Sequence, residues 1–352
     1  MGENIFVGIA TWLRDVMSSA GVPDLWNDTI LMLVKLVTVL VFVMLNFMVL
    51  NYMERRIAGF IQSRRGPNRV GPHGLLQPLA DIGKMLGKEL YIPKSVDKIV
   101  FLLMPTLIFV PPFLIFAVLP LGKNMAAIDM NIGVFYMFAI ASLSTIILWG
   151  AGWSSNNKYS LIGSMRAVAQ MVSYELPLIL SLLGVIMITG TLNMSSIVEA
   201  QNNIWFVFTQ PIAFLIYFIA GIAETNRTPF CLVEGESEII AGPYTEYSGM
   251  TYAMFPLAEF VSMIIISAMS TIVFLGGWLA PFGWTFIPSW LWFFLKMYVM
   301  IFIFMWVRWT YPRIRVDQLM GFNWKVLVPL ALAIIFITGV GMYVFRAIGW
   351  WS

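Results

Sequence analysis

The chain has 352 residues, of which 60% are hydrophobic, 15% aromatic and 11% charged, with a formal net charge of +3. Soluble domains carry about 25% charged residues, so this composition excludes a soluble protein and predicts a polytopic membrane protein. One cysteine and one histidine exclude an internal disulfide framework, a thiolate-held iron–sulfur cluster and a bis-histidine haem. The glycine-rich nucleotide-binding motifs are also missing, so we expect no nucleotide site of those kinds. We expect no metal ligands and no covalently bound cofactor, and any redox chemistry must use a cofactor held by another protein.

Eight apolar segments are long enough to cross a bilayer, for which a helix needs about 20 residues. The predicted spans are 30–53, 98–120, 132–152, 164–189, 204–223, 252–279, 288–310 and 324–346. We therefore predict an all-α fold of about eight transmembrane helices, in a single membrane domain over 1–352 with long loops at 54–97 and 224–251. Residues 1–27 lack a basic start followed by a cleavage site, so no removable signal peptide is expected.

The positions of the 21 lysines and arginines predict the orientation of these spans. Sixteen lie in alternate loops that include both long loops, whereas only Arg14, Lys123 and Arg346 lie on the opposite side. Because loops rich in lysine and arginine stay in the cytoplasm, we expect both long loops to be cytoplasmic and both termini to lie outside. Lys35 and Lys296 fall within spans, and Lys35 is close enough to an end to snorkel.

The first long loop begins with a basic amphipathic segment, in which Ile57, Phe60 and Ile61 share one helical face. This pattern is typical of a helix lying along the headgroup boundary, and a snorkelling basic anchor is the alternative. Residues 66–78 are then rich in glycine and proline, which predicts a fixed path of turns. A charged helical segment at 81–89 completes a loop suited to docking a partner.

The second long loop is acidic on the side where an excess of basic residues is expected. A single arginine, Arg227, stands among the carboxylates Glu224, Glu234, Glu236, Glu238, Glu246 and Glu259. Crowding and partial burial allow such carboxylates to exchange protons near neutral pH, and a solvated acidic face is the alternative.

Glu175 lies about nine residues past the cytoplasmic start of the fourth predicted span, roughly 13 Å deep. An ionised group there costs several kcal/mol unless it is paired or hydrated, so a function is the default interpretation. Glu259 lies at about 9 Å, and the two carboxylates descend as a proton path requires. Arg166 is on the opposite helix face from Glu175 and is not its expected partner.

The same predicted span carries a polar stripe, which consists of Arg166, Gln170, Ser173 and Pro177. This stripe fits either interhelical hydrogen bonding or a cavity wall.

Several motifs occur together and in order between about residues 30 and 346. They are Glu54-Arg55-Arg56, Gly66 to Gly71, Gly74 to Asp81, Ser173-Tyr174-Glu175, Glu224 to Phe230, Glu246 to Gly249, and Pro312 to Met320. In this combination the chain resembles the H-subunit family of respiratory complex I, the proton-pumping NADH:quinone oxidoreductase.

The resemblance implies a membrane subunit that forms part of the quinone chamber and couples quinone reduction to proton translocation, without a catalytic or metal-binding residue of its own. The implied quinone-binding residues are Arg55, Arg56, Gly59, Phe60, Arg64, Glu224 and Arg227. The implied proton path comprises Asp81, Glu175, Glu234, Glu236, Glu238, Glu246 and Glu259.

The resemblance also implies partners. The substrate is ubiquinone or menaquinone, FMN and iron–sulfur clusters belong to partner subunits, and the chain contacts peripheral-arm subunits, other membrane-arm subunits and lipid, but no nucleic acid. The implied location is a bacterial cytoplasmic (inner) membrane with both termini periplasmic.

One position departs from the family pattern, because Cys231 stands where an aspartate is usual. We expect this position to be dispensable or compensated by Glu234, and Cys231 to be a small buried hydrophobe.

Two alternatives remain open from the sequence. A hydrogenase-type or ferredoxin-linked complex has a related membrane subunit that needs no quinone, although the full acidic loop favours the quinone enzyme. A proton-coupled secondary transporter predicts paired internal repeats with broken helices, and the sequence shows no convincing repeat.

Overall fold

A computed structural model describes residues 24–347 apart from 124, 127, 234 and 282–286, together with positions 14, 18 and 19, and this part of the chain is helical without strands. The helices are α1 (Asp24–Ile61), α2 (Gln77–Gly87), α3 (Lys98–Leu107), α4 (Val110–Phe116), α5 (Gly133–Ser154), α6 (Lys158–Thr189), α7 (Met194–Glu199), α8 (Phe206–Thr209), α9 (Pro211–Glu224), α10 (Glu236–Ile239), α11 (Gly249–Phe274), α12 (Ser289–Thr310), α13 (Val316–Phe322) and α14 (Val328–Ala347). Short 3-10 turns lie at Pro72–Gly74 and Gly242–Tyr244, and a π-helical turn at Asn323–Leu327 joins α13 to α14.

Seven helical stretches are long and apolar enough to cross a membrane, and they coincide with seven of the eight predicted spans. They are Thr29–Ile61, Lys98–Phe116, Gly133–Ser154, Lys158–Thr189, Gly249–Phe274, Ser289–Thr310 and Val316–Val344. The remaining predicted span, the fifth (204–223), is divided, because Gln210 has a non-helical backbone and Pro211 starts α9. The 14 residues of α9 extend about 21 Å, so this segment is a broken helix.

The first predicted span continues further than the sequence indicated. α1 runs without interruption to Ile61, so Ile57 and Phe60 belong to its last turns and form no separate interfacial helix. Nothing between 54 and 61 breaks a helix except Gly59, whose cost of about 1 kcal/mol is too small to end it. The loop therefore begins after Ile61, and the short helix within it is α2.

The turn-rich part of this loop contains the predicted turns and is bound to α1. Gly74 has a φ of +80°, and a Cβ there would lie 2.3 Å from the carbonyl oxygen of Pro67. The carbonyl of His73 accepts hydrogen bonds from Tyr52 at 2.9 Å and from Arg56 at 2.7 Å, both on α1. These contacts hold the loop beside the end of the helix.

Helix α11 forms the centre of the bundle, with 89% of its most apolar stretch buried, compared with 18% for α1 and 11% for the segment containing α14. It packs on α9 and α12, while α6 packs on α5, α9 and α14. The acidic loop reaches α6 closely, because a Cβ on Gly163 would lie 2.6 Å from the Cα of Gly242. The two helices that carry Glu259 and Glu175 are therefore both interior.

Candidate functional site

A cavity of about 330 Å³ opens where the end of α1, the segment after α9, and helices α11 and α12 meet. Its aromatic and small lining residues include Tyr252, Phe260, Trp309 and Ala58. Its charged lining residues are Glu54, Arg55, Arg64, Arg227, Glu259 and Arg308. We call this space the main cavity. Four cations and two carboxylates give its wall an excess of positive charge.

Glu54 lies at the centre of this charge cluster. Its Oε2 is 3.2 Å from Nη1 of Arg227, and its other oxygen forms an ion pair with Arg308. Glu54 and Arg227 are only 7% and 5% exposed. The guanidinium of Arg227 also lies 4.1 Å from the ring centroid of Phe260. Buried charges need such partners, because each one otherwise loses several kcal/mol of solvation.

The local backbone explains how Arg227 reaches this position. Helix α9 ends at Glu224, and Asn226 then takes a φ of +52°, which turns the chain back toward α1. The turn is held by a hydrogen bond from the amide of Ile314 to the carbonyl of Pro229 at 3.1 Å. Asparagine tolerates the left-handed conformation better than most residues, so the sequence favours a turn here.

Two smaller cavities continue inward from the main cavity. The second, of about 40 Å³, is lined by Glu259, Tyr244 and Glu224. The third, of about 50 Å³, is lined by Glu224 and Glu175. Each is large enough for at least one water, which needs about 15 Å³. Because Glu259 borders the first two cavities and Glu224 the last two, the three spaces form an ordered series ending at Glu175.

Two carboxylates of this series differ in their hydrogen bonding. The hydroxyl of Tyr244 donates to Oε1 of Glu259 at 3.1 Å. Oε2 of Glu224 is buried and finds no hydrogen-bond partner among the described residues. A buried oxygen without a partner is costly in a dry site, so this geometry favours a hydrated cavity around Glu224.

The structure places the seven predicted quinone-binding residues in three different settings. Arg55, Arg64 and Arg227 line the main cavity, whereas Glu224 lines the two smaller ones. The other three lie outside these cavities. Arg56 is held by the hydroxyl of Tyr52 and the carbonyl of His73, Phe60 is 79% exposed, and Gly59 packs against the loop backbone, where a Cβ would lie 2.9 Å from the carbonyl oxygen of Arg64.

Three of the predicted proton-path residues line none of these cavities and make contacts at the loops instead. Asp81 forms an ion pair with Arg55 at 2.6 Å. Glu246 accepts a hydrogen bond of 2.6 Å from Nδ2 of Asn157, and Glu238 pairs with Arg166. Glu234 and the side chain of Glu236 lie outside the described residues.

Two members of the polar stripe on α6 make interhelical hydrogen bonds, and no residue of the stripe lines the three cavities described above. Gln170 donates to the carbonyl of Ala223 on α9 at 2.6 Å, and the carbonyl of Ser173 accepts from Asn323 at 2.6 Å.

Cys231 is buried, at 9% exposure, as expected for a small hydrophobe.

Sequence reasoning did not single out Arg308 or Tyr244 as site residues. Arg308 ends an apolar span, where it is indistinguishable from an ordinary basic anchor. Tyr244 lies in a loop without periodicity, and its contact with Glu259 depends on tertiary folding. Within the described residues, no group of three or more histidine, cysteine, aspartate or glutamate side chains is arranged to hold a metal ion.

Fold and site together define an integral membrane protein that retains ionisable groups between its helices, in a series of neighbouring cavities. The family sequence model described as NADH dehydrogenase matches residues 34–339. The H subunit of NADH-quinone oxidoreductase from Carboxydothermus hydrogenoformans is 56% identical over 350 residues, 99% of this chain and 100% of the relative. The H subunit from a Geobacillus species is 51% identical over 81% of this chain and 86% of the relative, and that from Bacillus cytotoxicus is 48% identical over 86% and 92%. The chain belongs to the H-subunit family of NADH-quinone oxidoreductase.

Proposed function

We propose that the chain works as the membrane subunit of an NADH:quinone oxidoreductase, with its main cavity receiving the quinone head group. A quinone head group is flat and has two carbonyl oxygens that accept hydrogen bonds. The cavity offers donors from Arg55, Arg64 and Arg308 beside the rings of Tyr252 and Trp309. Its excess of positive charge also favours the negative charge that a quinone gains when it is reduced.

The observation that carries this proposal is the sharing of carboxylates between cavities. Glu259 borders the main cavity and Glu224 links the two smaller ones, so a change of charge at the quinone is passed stepwise to Glu175. Reduction of a quinone takes up two protons for two electrons, and removal of a proton from Glu259 would draw the next one along the series. The chain thereby couples quinone reduction to proton movement in neighbouring membrane subunits.

Partners and location complete the proposal. Electrons reach the quinone from an iron–sulfur cluster in a peripheral-arm subunit, and FMN lies in another subunit of that arm. The loop bound by Arg56 and Arg55 is the docking surface for this arm, because these contacts place it beside the main cavity, which Arg55 also lines. The membrane is a bacterial cytoplasmic membrane with both termini periplasmic, and the substrate is ubiquinone or menaquinone.

Replacing Glu224→Gln in the assembled complex tests the coupling. In inverted membrane vesicles, we expect quinone-dependent NADH oxidation and proton pumping to fall about tenfold or more, because the neutral amide interrupts the carboxylate series. NADH oxidation by ferricyanide, which bypasses the quinone, should stay unchanged. Glu175→Gln and Arg55→Ala should likewise reduce only the quinone-dependent activity.

The matched control is Glu199→Gln, since Glu199 is an exposed carboxylate at the end of α7. This variant should pump protons as the unmodified complex does. Normal pumping by Glu224→Gln would refute the proposed coupling path. A loss of ferricyanide activity in the same variant would show that the peripheral arm had been lost, which contradicts a role confined to the quinone step.

A further inference from the structure

The buried amide of Asn323 bonds to α6 close to Glu175. Asn323 opens the π-helical turn Asn323–Leu327, and its Nδ2 donates to the carbonyl oxygen of Ser173 at 2.6 Å. Ser173 lies two residues before Glu175 in α6, although 150 positions separate Asn323 from Ser173. The side chain of Asn323 is completely buried. The end of the chain is thus tied to the helix that carries the innermost carboxylate.

Pro177 explains why this carbonyl is available. In an α-helix, the amide of each residue donates to the carbonyl four residues earlier, so Pro177, which has no amide hydrogen, leaves Ser173 without its helical donor. Asn323 supplies the missing hydrogen bond from another segment. Accordingly, α6 continues through Pro177 from Lys158 to Thr189.

A second hydrogen bond joins the same two segments. The hydroxyl of Tyr174 donates to the carbonyl of Leu319 at 3.0 Å, and the backbone amide of Asn323 also reaches that carbonyl. Residues 173 and 174 are therefore both bound to the 319–323 turn, directly before Glu175 enters the third cavity.

The two polar atoms of the Asn323 side chain differ in their hydrogen bonding: Nδ2 donates to α6, whereas Oδ1 is unpaired in the described part of the chain. Oδ1 of Asn323 is buried and has no hydrogen-bond partner among the described residues. Burial of this unpaired oxygen carries a cost, which the hydrogen bond from Nδ2 to the carbonyl of Ser173 offsets. Single π-helical turns within α-helices occur frequently at functional sites.

We propose that Asn323 is a positioning residue for Glu175, replacing the amide that Pro177 lacks and so fixing where the Glu175 carboxyl lies in the third cavity. This inference rests on the proposed function of Glu175 in the carboxylate series. It adds that the π-helical turn before α14 controls that residue. A change in the turn would then alter the coupling without touching the main cavity.

The test uses Asn323→Ala, Pro177→Ala and the double variant in the assembled complex, in inverted vesicles. The first readout is the labelling of Glu175 by a hydrophobic carbodiimide, measured by peptide mass spectrometry relative to labelling of Glu224 in the same sample. The second is the number of protons pumped per electron. For Asn323→Ala we expect the labelling ratio to change about threefold or more, a scale set by the loss of one hydrogen bond, and the proton yield to fall.

Rescue distinguishes this role from a general loss of packing. Pro177→Ala restores an amide that can bond to Ser173, so the double variant should return both readouts toward those of the unmodified complex. If Asn323→Ala prevents assembly, the same rescue is measured as the yield of assembled complex. Lack of rescue, or an unchanged labelling ratio in Asn323→Ala, overturns the proposal.

Asn46→Ala is the matched control. Asn46 is a buried asparagine on α1 that donates to the carbonyl of Phe42 at 2.8 Å and accepts from Tyr298 at 2.5 Å, so neither bond involves α6. It should leave the labelling ratio unchanged with or without Pro177→Ala. Normal pumping by Glu175→Gln would refute the proposed function, whereas the labelling ratio and its rescue still decide the positioning role.

Discussion

Arg227 and Glu54 form a buried ion pair of 3.2 Å, although 173 positions separate them in the sequence. Because Arg308 binds the other oxygen of Glu54, one carboxylate joins α1, the segment after α9, and α12. These three segments form much of the wall of the main cavity. The shape of the cavity therefore depends on one carboxylate that neutralises two arginines.

Removal of this charge should destabilise the assembled complex. Glu54→Gln leaves Arg227 and Arg308 without a counter-charge, and breaking a buried pair in this way costs roughly 3–5 kcal/mol. We expect a lower thermal midpoint for the detergent-solubilised complex and loss of quinone-dependent turnover. The control is Asp317→Asn, which removes an ion pair whose side chains are 74% and 64% exposed and should not change the midpoint. Equal midpoints for both variants would contradict the central role of Glu54.

The hydroxyl of Tyr244 should assist proton transfer from Glu259. Tyr244→Phe removes its 3.1 Å hydrogen bond to Glu259 while keeping the ring that packs on Phe255. General acid–base partners contribute about a hundredfold when essential, and a relayed contact contributes less, so we expect a fall of about three- to tenfold in coupled quinone turnover. The measurement is the initial rate in inverted vesicles. Tyr252→Phe changes a neighbouring tyrosine that lines the main cavity, and it separates a general effect of losing a tyrosine hydroxyl from the loss of this bond.

The sequence predicted the elements better than their contacts. Apolar runs located the long helices because the bilayer imposes about 20 apolar residues on each of them, and the cost of intramembrane charge identified Glu175 and Glu259. The end of α1 was missed, since no strong helix breaker stands between 54 and 61 and a change in charge does not end a helix. The break before α9 was missed because Gln210 and Pro211 lie inside an otherwise apolar run.

The sequence indicated which charged residues could form a site, but it did not indicate most of the contacts between them. Local sequence does not show that Glu54 contacts Arg227, nor that Asn323 completes the hydrogen bonding of Ser173, because both contacts join distant segments. The resemblance implies that Arg56 binds the quinone. In the structure its guanidinium binds the carbonyl of His73, a backbone acceptor that no residue pattern reveals. Pairing between distant residues is set by packing, which a single sequence does not specify.

Lys296 should stabilise the part of the bundle where α11 ends rather than take part in the proton path. Its Nζ donates to the carbonyls of Leu275 at 2.6 Å, Gly277 at 3.1 Å and Leu279 at 2.7 Å, and it lies 4.3 Å from the ring centroid of Trp205. Lys296→Met leaves three acceptors without this donor, at a cost of about 3 kcal/mol. We expect a lower thermal midpoint with an unchanged number of protons per electron in the complexes that assemble. A fall in the proton yield at normal stability would contradict this structural role.

Ionisation of Tyr247, in the acidic loop, should contribute to the loss of folding stability at alkaline pH. Burial raises the pKa of Tyr247 from 10.0 to about 12, and hydrogen bonds from Ser154 and Ser155 oppose this shift. The folded protein therefore holds the proton more tightly than the unfolded chain, so this tyrosine lowers stability as pH rises from about 10 and has its full effect above 12. The ring stacks on Phe101 with centroids 4.1 Å apart, which Tyr247→Phe preserves. We expect this variant to lose less stability between pH 9 and 12 than the unmodified complex, by roughly 2 kcal/mol, measured from denaturant midpoints. Identical slopes for both proteins would show that Tyr247 ionises as easily in the folded state as in the unfolded chain.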